Sequence, residues 1–350
     1  MLGRQGASLN VETGRAPAGA ALRVIGNVCI ADTPASWEWV VRHLAEHVLS
    51  AEGNPFAFRM KQRLFRVMSS PAWMRLFPRR GADPEWADLA GAADLVIKGH
   101  AGNWIIISAA EGRVTRVYPS QWQYLKARWI CRQPAVAAVS PRVLVWDDER
   151  LVHGEEFVQG ATIPVHDVER AVGVIRELWP ALAPVYRSRL VERRLRPPKS
   201  RHSRAAERLF RDFGLEAVWE RAHGVRVVHG LVHGDLKPLN ILRAGERLVV
   251  IDWGESYCLQ PPLFDVLYFL FWIARSHPPA RVVEAALGDR AWLRSGLGME
   301  VDHAAIEASV VAFSREMMKR FAGERPRAQR RLVKRLGLFV KEAARVLGVS

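Results

Sequence analysis

Apolar and polar positions follow two different periods along this chain of 350 residues. From about 94 to 160, short apolar and β-branched runs lie between glycines and charged residues, a pattern that predicts strands. Beyond this stretch, apolar residues recur every three or four positions, which predicts helices. One such stripe contains Ile306, Val310, Phe313 and Met317, and its spacing is typical of a helix face buried in a core. The pattern therefore predicts a strand-rich part followed by a largely helical part.

The strand-rich part begins with three predicted strands around a loop that contains glycines. The strands cover 94–98, 104–107 and 113–118, and the loop contains Gly99 and Gly102. Glycine lets a backbone approach phosphate groups closely because it has no side chain. The loop is therefore a candidate phosphate-binding site, although a plain hairpin turn explains the two glycines equally well.

The N-terminal residues form two further predicted segments. Residues 1–20 are rich in glycine, alanine and arginine, and we expect a disordered tail there. For 21–90 the sequence predicts a helical extension, because Thr33 is a good helix cap and Pro34 suits the first helical position. We assign no chemical role to this extension.

The candidate chemistry lies between Val232 and Glu255. Asp235 and Asn240 flank a short loop, in which Pro238 disfavours a regular helix. A β-hairpin is predicted to follow, and its return strand should bring Asp252 back beside Asn240. Two oxygen-bearing side chains that are distant in sequence would then meet at one place.

Phosphoryl transfer requires residue types of this kind. A carboxylate such as Asp235 can hold an acceptor hydroxyl and take its proton. Asn240 and Asp252 offer the oxygen ligands that magnesium prefers. Lys237 can direct a positive charge at the transferred phosphate. Turn capping explains any one of these residues, but it does not explain the ordered set.

Three motifs in this region occur in a known order. Residues 233–240 follow the pattern H-G-D-x-x-x-x-N, residues 251–253 read I-D-W, and Asp265 follows Pro262 at the start of a predicted helix. With these motifs the chain resembles the kinase-like superfamily, in particular the branch of aminoglycoside phosphotransferases and choline kinases. The resemblance covers about 94–275.

The resemblance implies an α+β, two-lobed protein-kinase-like fold. It implies a small, β-rich N-lobe at 91–160, which binds ATP, and a larger, mostly helical catalytic C-lobe at 161–350. ATP and Mg2+ are the implied cofactors. In the C-lobe, the resemblance makes Asp235 the catalytic base and makes Asn240 and Asp252 the magnesium ligands.

Three further residues receive roles from the same resemblance. Lys237 would contact the phosphate as a second catalytic residue. His233 would brace the loop rather than take part in the chemistry. Asp265 would hold the catalytic loop from the helix that follows it.

The resemblance also implies a set of nucleotide contacts in the N-lobe. The candidate residues are Gly99, Gly102, Arg116, Glu156, Phe157 and Val158. Arg116 would contact the phosphates, and the backbone of the last three would lie against adenine. Relatives pair the phosphate-binding cation with a glutamate on the next helix. The predicted helix 120–130 has no acidic residue, and Gln121 or Gln123 is the available substitute.

The implied activity is transfer of the γ-phosphate of ATP to a hydroxyl of a small molecule, such as a sugar, an amino alcohol or an antibiotic-like acceptor. The many arginines favour an anionic acceptor over a cationic one. Two alternatives stay open. The motif D-L-K-P at 235–238 is typical of serine/threonine protein kinases, which makes a protein kinase the first alternative. The second is a non-catalytic pseudokinase, because the predicted helix 120–130 lacks the glutamate that relatives carry.

Charge and cysteine content limit the remaining classes. The chain carries 51 basic and 36 acidic residues, a net charge of +15, but its basic clusters lack interleaved aromatic residues, so we expect no nucleic-acid partner. The basic amphipathic segment 325–345 suits either the last core helix or peripheral contact with an anionic membrane.

Cys29, Cys131 and Cys258 lack metal-ligand spacing. Without a predicted signal peptide, we expect a cytoplasmic protein with reduced thiols.

Overall fold

The protein divides into two units, each with its own core. In the computed structural model, the described residues are 22–25, 28–31, 33–41, 79–80, 93–98, 102–195, 200–253, 259–293 and 301–350. The first unit contains the described residues up to Tyr124 together with Val143–Phe157. The second unit contains Leu125–Arg142 and Val158–Ser350. The predicted tail, 1–20, lies outside the described residues.

Among its described residues, the first unit is built on an antiparallel sheet of eight strands. Its strands are β1 (Leu22–Ile25), β2 (Val28–Ala31), β3 (Arg79–Arg80), β4 (Leu95–Lys98), β5 (Trp104–Ser108), β6 (Arg113–Val117), β7 (Val143–Asp147) and β8 (Val152–Glu156). Their order in the sheet is β3-β1-β2-β4-β5-β6-β8-β7. The three strands predicted around the glycine loop are therefore confirmed as β4, β5 and β6.

Alternation along the strands gives this sheet two apolar faces. Val96 and Ile106 belong to one buried cluster, and Leu95 belongs to another. The second cluster also includes Trp37 and Val40 from helix α1 (34–41). Because successive side chains of a strand point to opposite faces, β4 packs against both clusters.

The prediction of a helical extension over 21–90 is wrong at three places. β1, β2 and β3 lie within it, and β2 extends the sheet by pairing with β4. Isolated four-residue runs carry too little periodicity to distinguish strand from helix, and the available edge of β4 decides the outcome. The predicted start of α1 is confirmed, since Thr33 accepts a hydrogen bond at Oγ1 from the backbone N–H of Ser36 at 3.1 Å.

The second unit is mostly helical, so the α+β class is confirmed. Its helices are α2 (Gln121–Cys131, which begins in the first unit), α3 (Pro134–Ala137), α4 (Val168–Arg187), α5 (Arg201–Asp212), α6 (Glu216–Gly224), α7 (Phe264–Ala274), α8 (Pro279–Leu287), α9 (His303–Phe321) and α10 (Pro326–Leu347). Its strands are β9 (Ala161–Thr162), β10 (Val191–Arg194), β11 (Arg226–Leu231), β12 (Ile241–Ala244), β13 (Arg247–Val250) and β14 (Leu259–Gln260). They form two antiparallel sheets, β10-β11-β14 and β13-β12-β9.

Aspartate side chains cap the first turns of α4 and α9. Asp167 accepts a hydrogen bond from the N–H of Arg170, and Asp302 caps α9 in the same way. Helix α4 contains Pro180 but continues to Arg187. Its apolar stripe stays buried beyond the proline, so tertiary packing outweighs the lost backbone hydrogen bond.

Helix α7 lies at the centre of the second core. Phe271 on α7 packs edge-on against Phe313 of α9 and Phe339 of α10. Leu336 and Ala343 on the same face of α10 are also buried. This face is therefore used in the core, which supports the core-helix interpretation of α10 over a membrane-surface helix. Among the described residues, no helix combines the length and the apolar character needed to cross a bilayer.

Candidate active site

The predicted hairpin is present and organises the candidate site. Strands β12 and β13 pair from Ile241 opposite Val250 to the turn at Gly245. Gly245 has a φ of 61°, which lies in the left-handed region that glycine adopts without steric cost. The N–H of Ile251 donates to the carbonyl of Asn240 at 2.9 Å. The backbone before Asp252 therefore lies directly beside Asn240.

Asp235 is buried and receives donors at both carboxylate oxygens. Lys237 Nζ lies 2.7 Å from Oδ2, and Asn240 Nδ2 lies 3.3 Å from the same oxygen. Tyr268 donates its hydroxyl to Oδ1 at 2.6 Å, and Arg320 Nη1 also lies 2.6 Å from Oδ1. Side chains from the loop, from α7 and from α9 thus converge on one carboxylate.

The electrostatic environment keeps Asp235 ionised. Burial alone would raise its pKa, but the charge and hydrogen bond of Lys237, the hydroxyl of Tyr268 and the charge of Arg320 together hold the pKa of Asp235 below its ordinary value. Burial and the neighbouring Asp235 raise the pKa of Tyr268, which stays protonated as a donor. The group that would accept a proton is therefore available as a base at neutral pH.

His233 and Asp265 fix the backbone of the loop 233–240 through hydrogen bonds. The backbone N–H groups of His233 and Gly234 donate to the carboxylate of Asp265 at 2.7 and 2.9 Å. The N–H of Asp235 donates to His233 Nδ1, so the ring proton lies on Nε2, which donates to the carbonyl of Ile251 at 2.9 Å. Burial raises the pKa of Asp265. These contacts connect the loop to α7 and to the end of β13.

A glycine is required next to Asp235. Gly234 has a φ of 81°, a conformation that is costly for residues with a side chain. Its carbonyl also accepts a hydrogen bond from Arg320 Nη2 at 2.9 Å. The backbone turn thus directs the Asp235 carboxylate toward the same arginine that holds the preceding peptide.

The chemistry of Asn240 and Asp252 fits a magnesium ion. Asn240 Nδ2 donates to the backbone and side chain of Asp235, which leaves its Oδ1 as an acceptor. Asp252 has an exposed side chain and a φ of 64°, so its backbone is held in the left-handed region. The two residues present amide and carboxylate oxygens, the donors that magnesium prefers.

Arg116 in the first unit has an acidic partner that the sequence did not reveal. Its Nε lies 3.0 Å from Glu155 Oε1, and the two side chains are only 13% and 10% exposed. Glu155 comes from β8, which pairs with β6, rather than from the following helix. The partner of Arg116 is therefore a carboxylate on a strand, and not Gln121 or Gln123, which were the substitutes available on the next helix.

A buried histidine lies next to this ion pair. His153 stacks on Trp146 with ring centroids 4.2 Å apart, and its Nε2 lies 3.7 Å from Glu155. Burial lowers the pKa of His153 to about 4 despite the opposing charge of Glu155, and Arg116 lowers it further. A neutral imidazole here leaves Glu155 paired with Arg116.

The remaining nucleotide candidates are only partly described. Gly99 lies outside the described residues. Gly102 precedes β5 with a φ of 82°, which suits a glycine. The N–H of Phe157 donates to the carbonyl of Gly112 at 2.7 Å, and the boundary between the two units falls between Phe157 and Val158.

Two residues of the Asp235 cluster were not predicted from the sequence. Tyr268 lies three positions after Asp265, so the two side chains are neighbours on the helix surface. A tyrosine hydroxyl at this position in an otherwise apolar helix could have indicated a second residue of the site. Arg320 stands near the end of α9 without any motif around it, and Glu316 one turn earlier accepts from its Nε at 3.1 Å. Nothing in the sequence distinguishes Arg320 from neighbouring arginines.

Comparison with protein families supports the interpretation of this region. Residues 164–297 match the model of the phosphotransferase enzyme family. The matched segment contains Asp235, Asn240, Asp252 and Asp265. The resemblance inferred from the motifs is confirmed for this part of the chain. A search of curated proteins found no match.

Solved structures give distant similarities. A choline/ethanolamine kinase family protein from Mesorhizobium loti is 17% identical, covering 76% of this chain and 95% of that chain with a TM-score of 0.48. A choline kinase from Streptococcus pneumoniae is 16% identical, covering 68% and 90% with a TM-score of 0.44. An aminoglycoside 2'-phosphotransferase-IIIa in complex with GDP is also 16% identical, covering 71% and 90% with a TM-score of 0.40.

Proposed function

Since residues 164–297 match the phosphotransferase enzyme family, we propose that the protein transfers the γ-phosphate of ATP to a hydroxyl of a small molecule. The observation that carries this proposal is the buried, ionised carboxylate of Asp235, with Lys237 and Asn240 within hydrogen-bond distance. An ionised carboxylate in this position takes the proton of the attacking hydroxyl. Positioning and charge neutralisation account for the rest of phosphoryl transfer.

The acceptor hydroxyl has to replace one of the donors on Asp235. A carboxylate offers about four lone-pair sites, and Lys237, Asn240, Tyr268 and Arg320 all donate to it. Lys237 is the donor with a second task, because its ammonium group can move to the transferred phosphate. That movement would free Oδ2 for the hydroxyl and would make Asp235 more basic, since Lys237 lowers its pKa.

Asn240 and Asp252 would hold Mg2+, which when bound neutralises charge on the nucleotide phosphates. Arg116 is the proposed phosphate contact of the first unit, and its guanidinium is oriented by Glu155. The backbone N–H of Phe157 already donates to the carbonyl of Gly112. Backbone hydrogen bonds to adenine would therefore come from Glu156 or Val158 and not from the N–H of Phe157.

The surroundings of the loop support an acceptor that is not cationic. Lys237 Nζ lies 5.5 Å from the ring centre of Trp272, and the Arg275 guanidinium lies 4.5 Å from the same ring. Aromatic rings attract quaternary ammonium groups, but this ring already interacts with two cations. A neutral or anionic hydroxyl compound, such as an acidic sugar, suits this charge better than choline or an aminoglycoside.

The test is transfer of label from γ-radiolabelled ATP in the presence of magnesium. The purified protein is incubated with pools of neutral, anionic and cationic hydroxyl compounds, and separately with added proteins. Label in a small-molecule fraction, lost with Asp235→Asn, is the expected result. Label only in proteins would establish the protein-kinase alternative, and no transfer to any pool would support a pseudokinase.

A further inference from the structure

The solvent-facing side of α10 is basic along most of the helix. Its opposite side, with Leu336, Phe339 and Ala343, is buried in the core. Spacings of three and four positions place a second set of side chains together on one face. These side chains are exposed and belong to Arg327, Arg331, Lys334, Leu338, Lys341 and Arg345. We call this set, with the exposed Arg330 beside it, the basic face.

Most cations of the basic face lack an acidic partner. Arg345 pairs with Glu342 at 2.9 Å and with Glu284 at 3.2 Å. Throughout the described part of the chain, no ion pair is formed by Arg327, Arg330, Arg331, Lys334 or Lys341. Other exposed arginines of the second unit are paired, as Arg281 is with Glu169. The positive charge of the basic face is therefore available to a partner.

Helix α5 packs beside α10 and adds to the positive surface. Gly337 of α10 lies against the ring of Phe213, the residue that follows α5, and a side chain at 337 would overlap that ring. On the outward side of α5, Arg204 and Arg208 are exposed and form no ion pair with any described residue. Two neighbouring surface helices therefore both present unpaired cations to solvent.

The dimensions of the basic face suit an extended anionic surface. At about 1.5 Å per helical residue, the face runs about 21 Å from Arg327 to Lys341. A single phosphate or carboxylate group would contact only one or two of these side chains. The exposed residues of α10 include no aromatic side chain on which nucleic-acid bases could stack. Leu338, an apolar side chain that is 43% exposed, lies in the middle of the face and suits a surface with apolar material beneath its charges.

We propose that the basic face docks the protein onto an anionic lipid bilayer. The apolar side of α10 stays in the protein core, so the contact is electrostatic and the helix itself is not inserted. Anionic lipids attract clusters of about four to eight lysines and arginines on a helix. Long arginine and lysine stems would keep the charges at the lipid phosphates, while Leu338 reaches the boundary with the acyl chains. This surface is separate from the proposed base and magnesium ligands, which lie on other elements.

Co-sedimentation of the full chain with vesicles tests the proposal. The vesicles are phosphatidylcholine, either pure or mixed with about one-third phosphatidylglycerol, in about 0.1 M salt. We expect binding to the mixed vesicles only, and release from them at about 1 M salt, where charges are screened within about 3 Å. Equal binding to both kinds of vesicle, or no binding to the mixed vesicles, would overturn the proposal.

A triple variant locates the contact on α10. It combines Arg327→Gln, Arg331→Gln and Lys334→Gln, and glutamine keeps a helix propensity close to that of the residues it replaces. The partition coefficient onto mixed vesicles should fall at least about tenfold, because each basic residue close to an anionic surface adds to the attraction. A circular dichroism spectrum checks that the variant is folded.

The matched control removes the same charge from another part of the second unit. It combines Arg170→Gln on α4 with Arg193→Gln and Arg194→Gln on β10, all at exposed positions. Its partition coefficient should stay within about twofold of the wild type, because attraction to the surface fades within about one Debye length. An equal loss in the two triple variants would show attraction by net charge alone and overturn the proposal.

A single substitution at the centre of the basic face gives an independent test. Leu338→Glu places a negative charge among the cations and should lower the partition coefficient about fivefold. Leu190→Glu is its control, since Leu190 is 46% exposed and lies just beyond the end of α4. Losses of equal size in these two variants would contradict docking through α10.

Duplex DNA of about 20 base pairs is the competing polyanion in the last experiment. Binding is compared with that of the mixed vesicles at the same salt concentration and per phosphate group. Tighter binding of DNA, lost in the α10 triple variant, would identify a nucleic-acid surface and overturn the proposal, whereas weaker binding supports the bilayer. None of these measurements requires phosphoryl transfer, so failure of this surface and failure of the proposed activity can be distinguished.

Discussion

The proposed chemistry depends on the carboxylate of Asp235. It is buried, and its pKa is nevertheless held below the ordinary value because Lys237 donates to Oδ2 while Tyr268 and Arg320 hold Oδ1. The same donors that keep it ionised also reduce its basicity. In the proposed mechanism, Asp235 would become a more effective base when Lys237 leaves Oδ2.

Replacement of the base should remove activity but preserve the fold. Asp235→Asn keeps the size of the side chain and loses the charge that accepts the proton. We expect kcat to fall at least about 100-fold, the scale of general base catalysis. Steady-state kinetics with the acceptor found in the labelling assay measures this. Turnover near the wild-type value, in a variant with a normal circular dichroism spectrum, would rule out Asp235 as the base.

Removal of the Tyr268 hydroxyl should change the pH dependence. This hydroxyl lowers the pKa of Asp235, so Tyr268→Phe should raise that pKa. The base acts when unprotonated, and activity falls as pH decreases through its pKa. The acidic limb of kcat/KM should therefore move to higher pH in the variant, as measured over a full pH series.

Tyr186→Phe is the control for this experiment. Tyr186 donates its hydroxyl to the carbonyl of Val228 at 2.8 Å and does not contact Asp235. Its removal should leave the acidic limb unchanged. A limb that moves equally in both variants, or in neither, would contradict the assigned role of Tyr268.

At the scale of elements, the loop between β11 and β12 is held by its connection to α7. Asp265 in the first turn of α7 accepts two buried backbone N–H groups of the loop. His233 connects the same loop to Ile251 at the end of β13. The loop therefore gets its geometry from a helix and a hairpin that follow it in the chain.

Loss of the Asp265 carboxylate should destabilise the protein. Asp265→Ala would leave two buried N–H groups without partners, at a cost of roughly 2–5 kcal/mol in the free energy of unfolding. Denaturant titration measures the change. Asp302→Ala removes an exposed carboxylate that caps α9 and should cost only about 1 kcal/mol.

Similar losses in these two variants would contradict the proposed role of Asp265. If Asp265→Ala does not fold, Asp265→Asn serves instead: the two N–H groups donate to different oxygens of Asp265, and an amide keeps an acceptor oxygen at only one of these positions. That variant should fall between the wild type and the alanine variant in stability.

At the scale of the whole molecule, nucleotide binding should appear as a gain in thermal stability. A ligand that binds the folded state raises Tm by mass action. An ATP analogue together with Mg2+ should therefore raise Tm more than either alone, as measured by calorimetry. Asp252→Ala should remove the part that depends on magnesium, because it deletes a proposed ligand.

Asp289→Ala is the matched control, since Asp289 is an exposed aspartate that caps a turn at Ala291. Its response to nucleotide and magnesium should equal that of the wild type. A wild-type protein whose Tm does not respond to the two ligands together would contradict the proposed nucleotide site.

The sequence alone determined the parts of this protein that depend on neighbouring residues. The loop 233–240, the hairpin of β12 and β13 and the start of α7 at Asp265 follow from turn residues and β-branched runs close in the chain. Caps such as Thr33 and Asp302 belong to the same class. Local hydrogen bonds and local packing specify these features, so their spacing is visible in the sequence.

Only the tertiary structure decided which distant side chains meet. Arg320 reaches Asp235 across 85 positions, and Glu155 reaches Arg116 across 39. β1, β2 and β3 became strands because a sheet edge was available, and α4 continued through Pro180 because its stripe stayed buried. The energy of such contacts depends on burial and on three-dimensional distance, and neither quantity is encoded in the spacing of residues along the chain.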